Sequence, residues 1–382
     1  MDIQPDQQPA STAYARPRQP ADSPAAALPT ETLQHILELA LEDDEDPFER
    51  QSTRRSFSKV CYHWYTVVPS PIEYAVSSAR SARKLALRLR QSTSDPGEKV
   101  RSLVIRLDAV NGVNRGGRTA KLLEACRNVE HLSIDLKSAL TGGYMCDGGG
   151  MGYRLYEAAK KLKGLRVLEL LEEAYVSPAA LADIVEVWPE LHALRLNCKF
   201  HPSCRPPPLP VAEALRHLDI SGDVELAHAL LPYIAPLRTT FSLIVRGDPL
   251  PDSRFSGLLL PFADRLDKFA APDGWLWSST LRSMFLNMKN VHTLELHHSI
   301  IKDAHLVLEL HPLAELRELI IVGVATSAED CAGLHVEWLL SHLFPSFERL
   351  RLPRQLAQLW TAAETKTVED RAEQSQFELV WT

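Results

Sequence analysis

Along most of the chain, apolar residues return in triplets spaced three and then two positions apart, written ΦxxLxΦ with Φ aliphatic. The clearest copies begin at Val100 (Leu103, Ile105), Val129 (Leu132, Ile134), Leu165 (Leu168, Leu170), Leu191 (Leu194, Leu196) and Leu215 (Leu218, Ile220). Further copies begin at Val291 (Leu294, Leu296), Leu316 (Leu319, Ile321) and Phe347 (Leu350, Leu352). A helical period does not produce this spacing, whereas a short strand leaving a turn does, because its alternate side chains point to one side. Each copy is too short to bury its own apolar face, so the copies must stack into one continuous core.

Most gaps between the triplets hold an amphipathic stretch of two or three helical turns: Thr119 to Cys126, Tyr153 to Leu162, Ala179 to Trp188, Val224 to Ile234 and Glu337 to Phe344. Strand, loop, helix and loop at a period of roughly 25 to 30 residues is the leucine-rich-repeat unit. Two degraded copies, within Leu237 to Arg246 and Leu266 to Ala271, keep the spacing of the series and bring the count to about ten repeats. The asparagine that often follows the strand in such repeats is replaced by Asp108, Lys137, Glu173, Lys199, Asp223 and Ser299, which points to the irregular, ribonuclease-inhibitor-like branch. The fold expected is therefore α/β: an irregular leucine-rich-repeat solenoid over residues 100–382, with parallel inner strands and outer helices. Toward the end, Gln355 to Ala363 predicts a closing helix and Phe377 to Trp381 a last edge strand.

The first hundred residues follow another pattern. Residues 1–27 are rich in Pro, Gln, Ala and Ser and lack any apolar period, which predicts a disordered tail. From Leu28, a helical stripe of Leu33, Ile36, Leu37, Ala40 and Leu41 is predicted, with Pro29 tolerated in its first turn. An acidic, loop-like insertion (Glu42 to Asp46) separates it from a second helical stretch through Arg54, Phe57, Val60, Cys61, Trp64, Val67 and Val68, stopped by Pro69 and Pro71. Residues 76–99 are expected to link and cap the solenoid. Within them Ser77 to Gln91 carries Leu85, Ala86 and Leu89 on one face, and Arg80, Arg83, Lys84, Arg88 and Arg90 around it.

The combination Leu28-Pro29-x-Glu31-x-Leu33-x-x-Ile36 with Val60-Cys61-x-x-Trp64 resembles the F-box, a short three-helix motif, over residues 28–75. It departs from that pattern in the stretched Glu42 to Asp46 gap and in Ile72-Glu73-Tyr74, where the usual final Leu-Trp is missing. An F-box with a lengthened first loop and a leucine-rich-repeat-like tail is similar to the mushroom-type fungal F-box group. The resemblance implies docking on the Skp-type adaptor of a cullin-RING (SCF-type) ubiquitin ligase, by packing of apolar side chains in a groove. Leu28, Pro29, Leu33, Ile36 and Leu37 would supply one contact row, and Val60, Cys61 and Trp64 a second row or the small core beneath it. Pro29 and Glu31 are the most diagnostic, since neither is expected in a hydrophobic core. The bland alternative is that these helices only cap the first repeat of an interaction scaffold with no ligase attached.

Target choice is then expected on the concave face, where residues flanking the buried positions project. These are His131, Ser133, Asp135, Glu169, Arg195, Asn197, His217, Asp219, Thr293, Glu295, His297, Glu318, Arg349 and Arg351. They carry both signs of charge and suit an unknown protein target.

Other chemistries receive little support. Gly142, Gly143, Gly148, Gly149, Gly150 and Gly152 lie where a phosphate loop would, but no Lys-Ser or Lys-Thr follows and the spacing is not that of a dinucleotide loop. Cys198, His201 and Cys204 offer three ligand types without a fourth, so no metal and no cofactor is expected. His292, His297 and His298 match no nucleophile and supporting acid, and no enzymatic activity is expected. With a net charge of −7 and a pI near 6.1, nucleic acid is not an expected partner. Six scattered cysteines, no secretory signal and no apolar run of membrane-spanning length point to reduced thiols and a cytoplasmic or nuclear location, with no membrane partner.

Overall fold

The computed structural model describes residues 28–42, 44, 46–60, 62–68, 72–91, 96–106, 115–135, 153–176, 186–200, 214–221, 241–246, 259–271, 284–297, 313–323 and 346–382. It divides into two compact units, one through Val76 and one from Ser77 onward. The predicted tail 1–27, the glycine-rich loop 142–152, His201 and Cys204, and most of the predicted helices at 179–188, 224–234 and 337–344 lie outside the described residues.

The first unit contains α1 (Thr30–Glu42), α2 (Pro47–Phe57), α3 (Tyr62–Val67) and the strand β1 (Glu73–Val76). Leu33 and Leu37, four apart on α1, are its most buried side chains, at 1% and 2% exposure. Asp46 starts α2 by accepting the Phe48 amide at 3.0 Å, a side-chain cap worth about 1 kcal/mol. The acidic stretch is no free loop at Asp44, whose carboxylate accepts from Thr53 Oγ1 at 2.7 Å and whose carbonyl accepts from Arg50 Nη1 at 2.8 Å. Asp43 and Glu45 lie outside the described residues. Arg50 also forks onto Glu73, at 3.0 and 2.8 Å. Gln51 exchanges two hydrogen bonds with the Ala75 backbone, at 2.9 and 3.3 Å, so its side chain serves β1 as a strand neighbour would.

The second unit is built of parallel strands and helices. Its strands are β2 (Ser102–Arg106), β3 (His131–Asp135), β4 (Val167–Val176), β5 (Ala193–Phe200), β6 (His217–Ser221), β7 (Phe241–Arg246), β8 (Leu266–Ala271), β9 (Thr293–His297), β10 (Glu318–Val322), β11 (Arg349–Leu352) and β12 (Glu378–Trp381). They pair in strict chain order, every described pairing being parallel. Both degraded copies are strands in this series, β7 and β8.

Register explains the triplets. Leu103, Leu132, Leu168, Leu194, Leu218, Leu243, Phe269, Leu294, Leu319, Leu350 and Leu379 stand level across the sheet. The first ten of them are almost fully buried. Two positions on, Ile105, Ile134, Leu170, Leu196, Ile220 and Val245 form a second level row. Of the leading residues, Val100, Val129, Leu165, Leu191, Leu215, Val291 and Leu316 are also buried, while Phe347 is half-buried. Each such side chain contributes about 1.5–3 kcal/mol when removed from water.

The turns are knit by the main chain. The carbonyl of Arg101 accepts the amides of Glu130 and His131 at 2.8 and 2.9 Å, and Glu130 does the same for Arg166 and Val167 at 2.8 and 2.9 Å. Arg166, His192, His292 and Arg317 repeat the arrangement down the chain. At these six rungs one carbonyl satisfies both turn amides of the next, without the missing asparagine.

Helices α4 (Ala79–Gln91), α5 (Arg115–Ala125) and α6 (Tyr153–Ala159) pack in sequence. Ala82, Leu85, Ala86 and Leu89 form the buried stripe of α4, its five arginine and lysine side chains being exposed. Ser78 caps this helix by accepting the Ser81 amide at 3.1 Å. At the far end, α7 (Arg354–Leu359) and α8 (Ala362–Ser375) precede the last strand, and Thr361 with Glu364 form a capping box at the start of α8.

Candidate functional site

Two groups of side chains were singled out as binding surfaces, one in each unit. In the first unit, Leu28 is half-buried while Pro29, Glu31 and Ile36 are exposed. Leu33 and Leu37 differ from the expected contact row: they form the core of the unit, because Tyr62–Val67 and Pro47–Phe57 pack against α1. His63 Nε2 lies 3.1 Å from the Leu28 carbonyl and ties α3 to the entry of α1. Trp64 is half-buried with its ring 4.5 Å from that of Phe57, and Val60 is exposed. Cys61 lies outside the described residues.

Five large apolar side chains are among those left outward. Ile36, Leu39, Val60, Tyr65 and Ile72 are 37%, 50%, 47%, 60% and 58% exposed. Leu39 and Tyr65 are not among the expected contact residues, and Ile72 stands only as a departure from the motif; the available signal for Leu39 is its place three residues beyond Ile36, on the flank of α1 away from Leu33 and Leu37.

In the second unit, register brings one row of the predicted residues together. Ser133, Glu169, Arg195 and Asp219 are successive partners across β3 to β6. Arg195 bridges its neighbours, with Nη1 3.0 Å from Glu169 Oε1 and Nε 3.0 Å from Asp219 Oδ2. His131 Nε2 stands 3.5 Å from Glu169 Oε2. Burial pushes the Glu169 carboxyl up, but His131, the Arg195 guanidinium and the Ser133 hydroxyl outweigh it and hold the group below its ordinary range. Asp219 is 8% exposed, and its Oδ1 is buried without a hydrogen-bond partner among the described residues.

The same row continues through Ile244 and Ala270 to Glu295, Ile320 and Arg351, so an apolar gap separates this cluster from a second one. There Arg351 Nε donates to Glu318 Oε1 at 2.8 Å, and Arg349 bonds Glu378 and lies 3.6 Å from Glu318. Asp135 is buried at 6% exposure, 3.5 Å from Arg106, and Glu295 at 7%. Asn197 and His297 are half-buried and His217 is exposed. The predicted residues therefore do not form one surface. Ser133, Glu169, Arg195 and Asp219 form one cluster and Glu318, Arg349 and Arg351 another, with Ile244, Ala270, Glu295 and Ile320 between them along the row.

His292 Nδ1 lies 2.7 Å from Asp267 Oδ1, on the turn before β9. Cys126 is buried, and desolvation raises its thiol to about 12, which keeps it neutral and unreactive. Among the described residues no group of His, Cys, Asp and Glu is placed to hold a metal ion, and no helix is long and apolar enough to cross a membrane. Compared with known proteins, the chain matches no family model and no curated sequence.

Proposed function

We propose that the protein is a non-catalytic substrate-recognition adaptor of a Skp/cullin-RING ubiquitin ligase. The F-box-like helices dock on the Skp-type adaptor, and the leucine-rich-repeat face holds a protein target. The observation that carries this reading is the division of labour in the first unit: Leu33 and Leu37 maintain its core while Ile36, Leu39, Val60, Tyr65 and Ile72 remain exposed. A three-helix unit that needs only to fold gains nothing from keeping five large apolar side chains in water, whereas one that docks by helix packing requires them. On this reading the charged clusters at Glu169, Arg195 and Asp219 and at Glu318, Arg349 and Arg351 select the target, and the protein works in the cytoplasm or nucleus without a cofactor.

The test is affinity capture of the folded protein from its own cell type, with the ligase inhibited so that targets are retained. A Skp-type adaptor should co-purify together with a cullin and one or more target proteins. If no such adaptor is retained, the ligase role is wrong and a repeat scaffold with a helical cap replaces it.

A further inference from the structure

The buried stripe of α4 accounts for its packing beside α5, but its opposite face does not follow from packing. Arg80, Arg83, Lys84, Leu87 and Arg88, spaced three or one apart, share the side of the helix turned away from Ala82, Leu85, Ala86 and Leu89. All five are exposed, Leu87 at 48%. No acidic residue occurs from Ser77 to Gln91, although the chain as a whole carries a net −7. Arg80, Arg83, Lys84 and Arg88 have no carboxylate partner among the described residues. A face that needs only to stay in water mixes both signs of charge and keeps large apolar side chains out.

The outer side of α5 continues this surface. Arg118 and Lys121, three apart, are exposed there. Arg90, on the flank of α4, reaches across the join: its Nη2 donates to the Lys121 carbonyl at 3.3 Å and to Glu124 Oε2 at 3.1 Å. That bond engages the exposed Glu124 carboxylate and leaves the positive charge in excess. Two packed helices therefore present cations over a width of about 20 Å, with one leucine among them.

We propose that the outer face of α4, extended by Arg118 and Lys121, docks on an anionic lipid bilayer, with Leu87 entering the headgroup layer. Clustered lysine and arginine on a helix are complementary to acidic headgroups, which the cytoplasmic leaflet supplies. Leu87 favours lipid over nucleic acid, because the boundary between headgroups and acyl chains accommodates an apolar side chain and a phosphate backbone does not. The breadth of two helices suits a plane, whereas an acidic peptide would lie along one stripe. With the chain acidic overall, an anionic bilayer attracts this face and repels the rest, which fixes the orientation of docking. Such a contact lies on the bilayer and needs no spanning helix, so the expectation of no membrane partner, which rested on the length of apolar runs, does not extend to it. The inference does not depend on the ligase role.

The test is co-sedimentation of the full chain with vesicles of phosphatidylcholine alone and of phosphatidylcholine with about 30% phosphatidylserine, at about 0.05 M and about 0.5 M salt. At low salt the anionic vesicles should bind at least about tenfold more strongly than the neutral ones, and high salt should weaken that binding. Arg80→Glu with Arg83→Glu should abolish the preference; if circular dichroism shows that variant to be unfolded, Arg83→Gln with Arg88→Gln should reduce it at least about tenfold. Leu87→Ser should weaken binding about fivefold at both salt concentrations, since an apolar contact is not screened. Equal binding to the two kinds of vesicle overturns the proposal, as does a preference that survives both arginine variants. An unchanged Leu87→Ser overturns the entry of the leucine into the headgroup layer. Random-sequence duplex DNA and polyglutamate serve as the other probes, read by fluorescence anisotropy. Binding of either one without the anionic vesicles, lost in the arginine variants, overturns the lipid assignment and indicates a nucleic acid or an acidic protein segment.

Discussion

Arg195 Nε donates to Asp219 Oδ2 at 3.0 Å between register partners on β5 and β6, and the aspartate side chain it holds is 11% exposed. The same guanidinium reaches back to Glu169 on β4. Two carboxylates on strands two spacings apart, about 10 Å between their backbones, are therefore made compatible by one cation between them. Half the Arg195 side chain is in water, so solvent screens the pair and the full cost of breaking a buried ion pair is not expected. Arg195→Ala should lower stability by about 1–2 kcal/mol. Adding Asp219→Asn should restore part of it, because the amide needs no counter-charge. Thermal unfolding of the two variants checks this; an unchanged midpoint for Arg195→Ala would refute it.

Glu169 carries the pH dependence of the same cluster. Its folded-state value lies below the ordinary carboxylate range. The unfolded state therefore takes up its proton first as pH falls, and stability is lost in that window. The contribution is complete above the ordinary glutamate range and disappears as pH drops through the lower folded value. In wild-type protein the melting temperature should fall faster through this acidic window than in Glu169→Gln, and the two curves should run parallel at neutral pH and above. Parallel curves throughout would show that Glu169 gains nothing from His131 and Arg195.

How much of this was legible beforehand depends on what each pattern encodes. The offsets of three and two placed the buried rows of the clear copies, because a strand's alternation fixes which side chains share a face. The two degraded copies were placed by the repeat period alone, and Leu243 and Phe269 fill their leucine positions. Alternation cannot tell how deep a polar side chain lies between its neighbours. Asp219 and His217 both flank the buried Leu218, yet one is buried beside Arg195 and Ile244 while the other is exposed. The helical stripe of α1 was equally plain, but its two edges were not separable: Leu33 and Leu37 turn in and Ile36 turns out only once α2 and α3 are in place. The Gln51 link to Ala75 and the Arg50 fork onto Glu73 were illegible, since they join residues more than twenty positions apart with no periodic signal between them.

Phe269 tests whether a degraded copy carries full structural weight. It occupies the leucine position of β8, fully buried between Leu243 and Leu294. Phe269→Ala should cost about 3–5 kcal/mol through lost burial and the cavity left behind. Leu286→Ser, at a site 53% exposed, should change stability by less than about 0.5 kcal/mol. Chemical denaturation of both variants makes the comparison. A small effect at Phe269 would mean that the sheet is discontinuous at β8.

The sharpest test of the first unit sets Leu33 against Ile36. Leu33 is 1% exposed and Ile36 37%, although both were read as one contact row. Leu33→Ala should cost about 2–5 kcal/mol by opening a cavity under α1, so any loss of adaptor binding would follow from unfolding of the unit. Ile36→Glu keeps a good helix former at an exposed position and should leave stability within about 1 kcal/mol. If the exposed apolar side chains dock, Ile36→Glu combined with Val60→Glu should reduce capture of a Skp-type adaptor by more than about tenfold. Circular dichroism and adaptor capture on the same preparations separate the two effects. Undiminished capture by the Ile36 and Val60 double variant would remove these side chains from the docking surface.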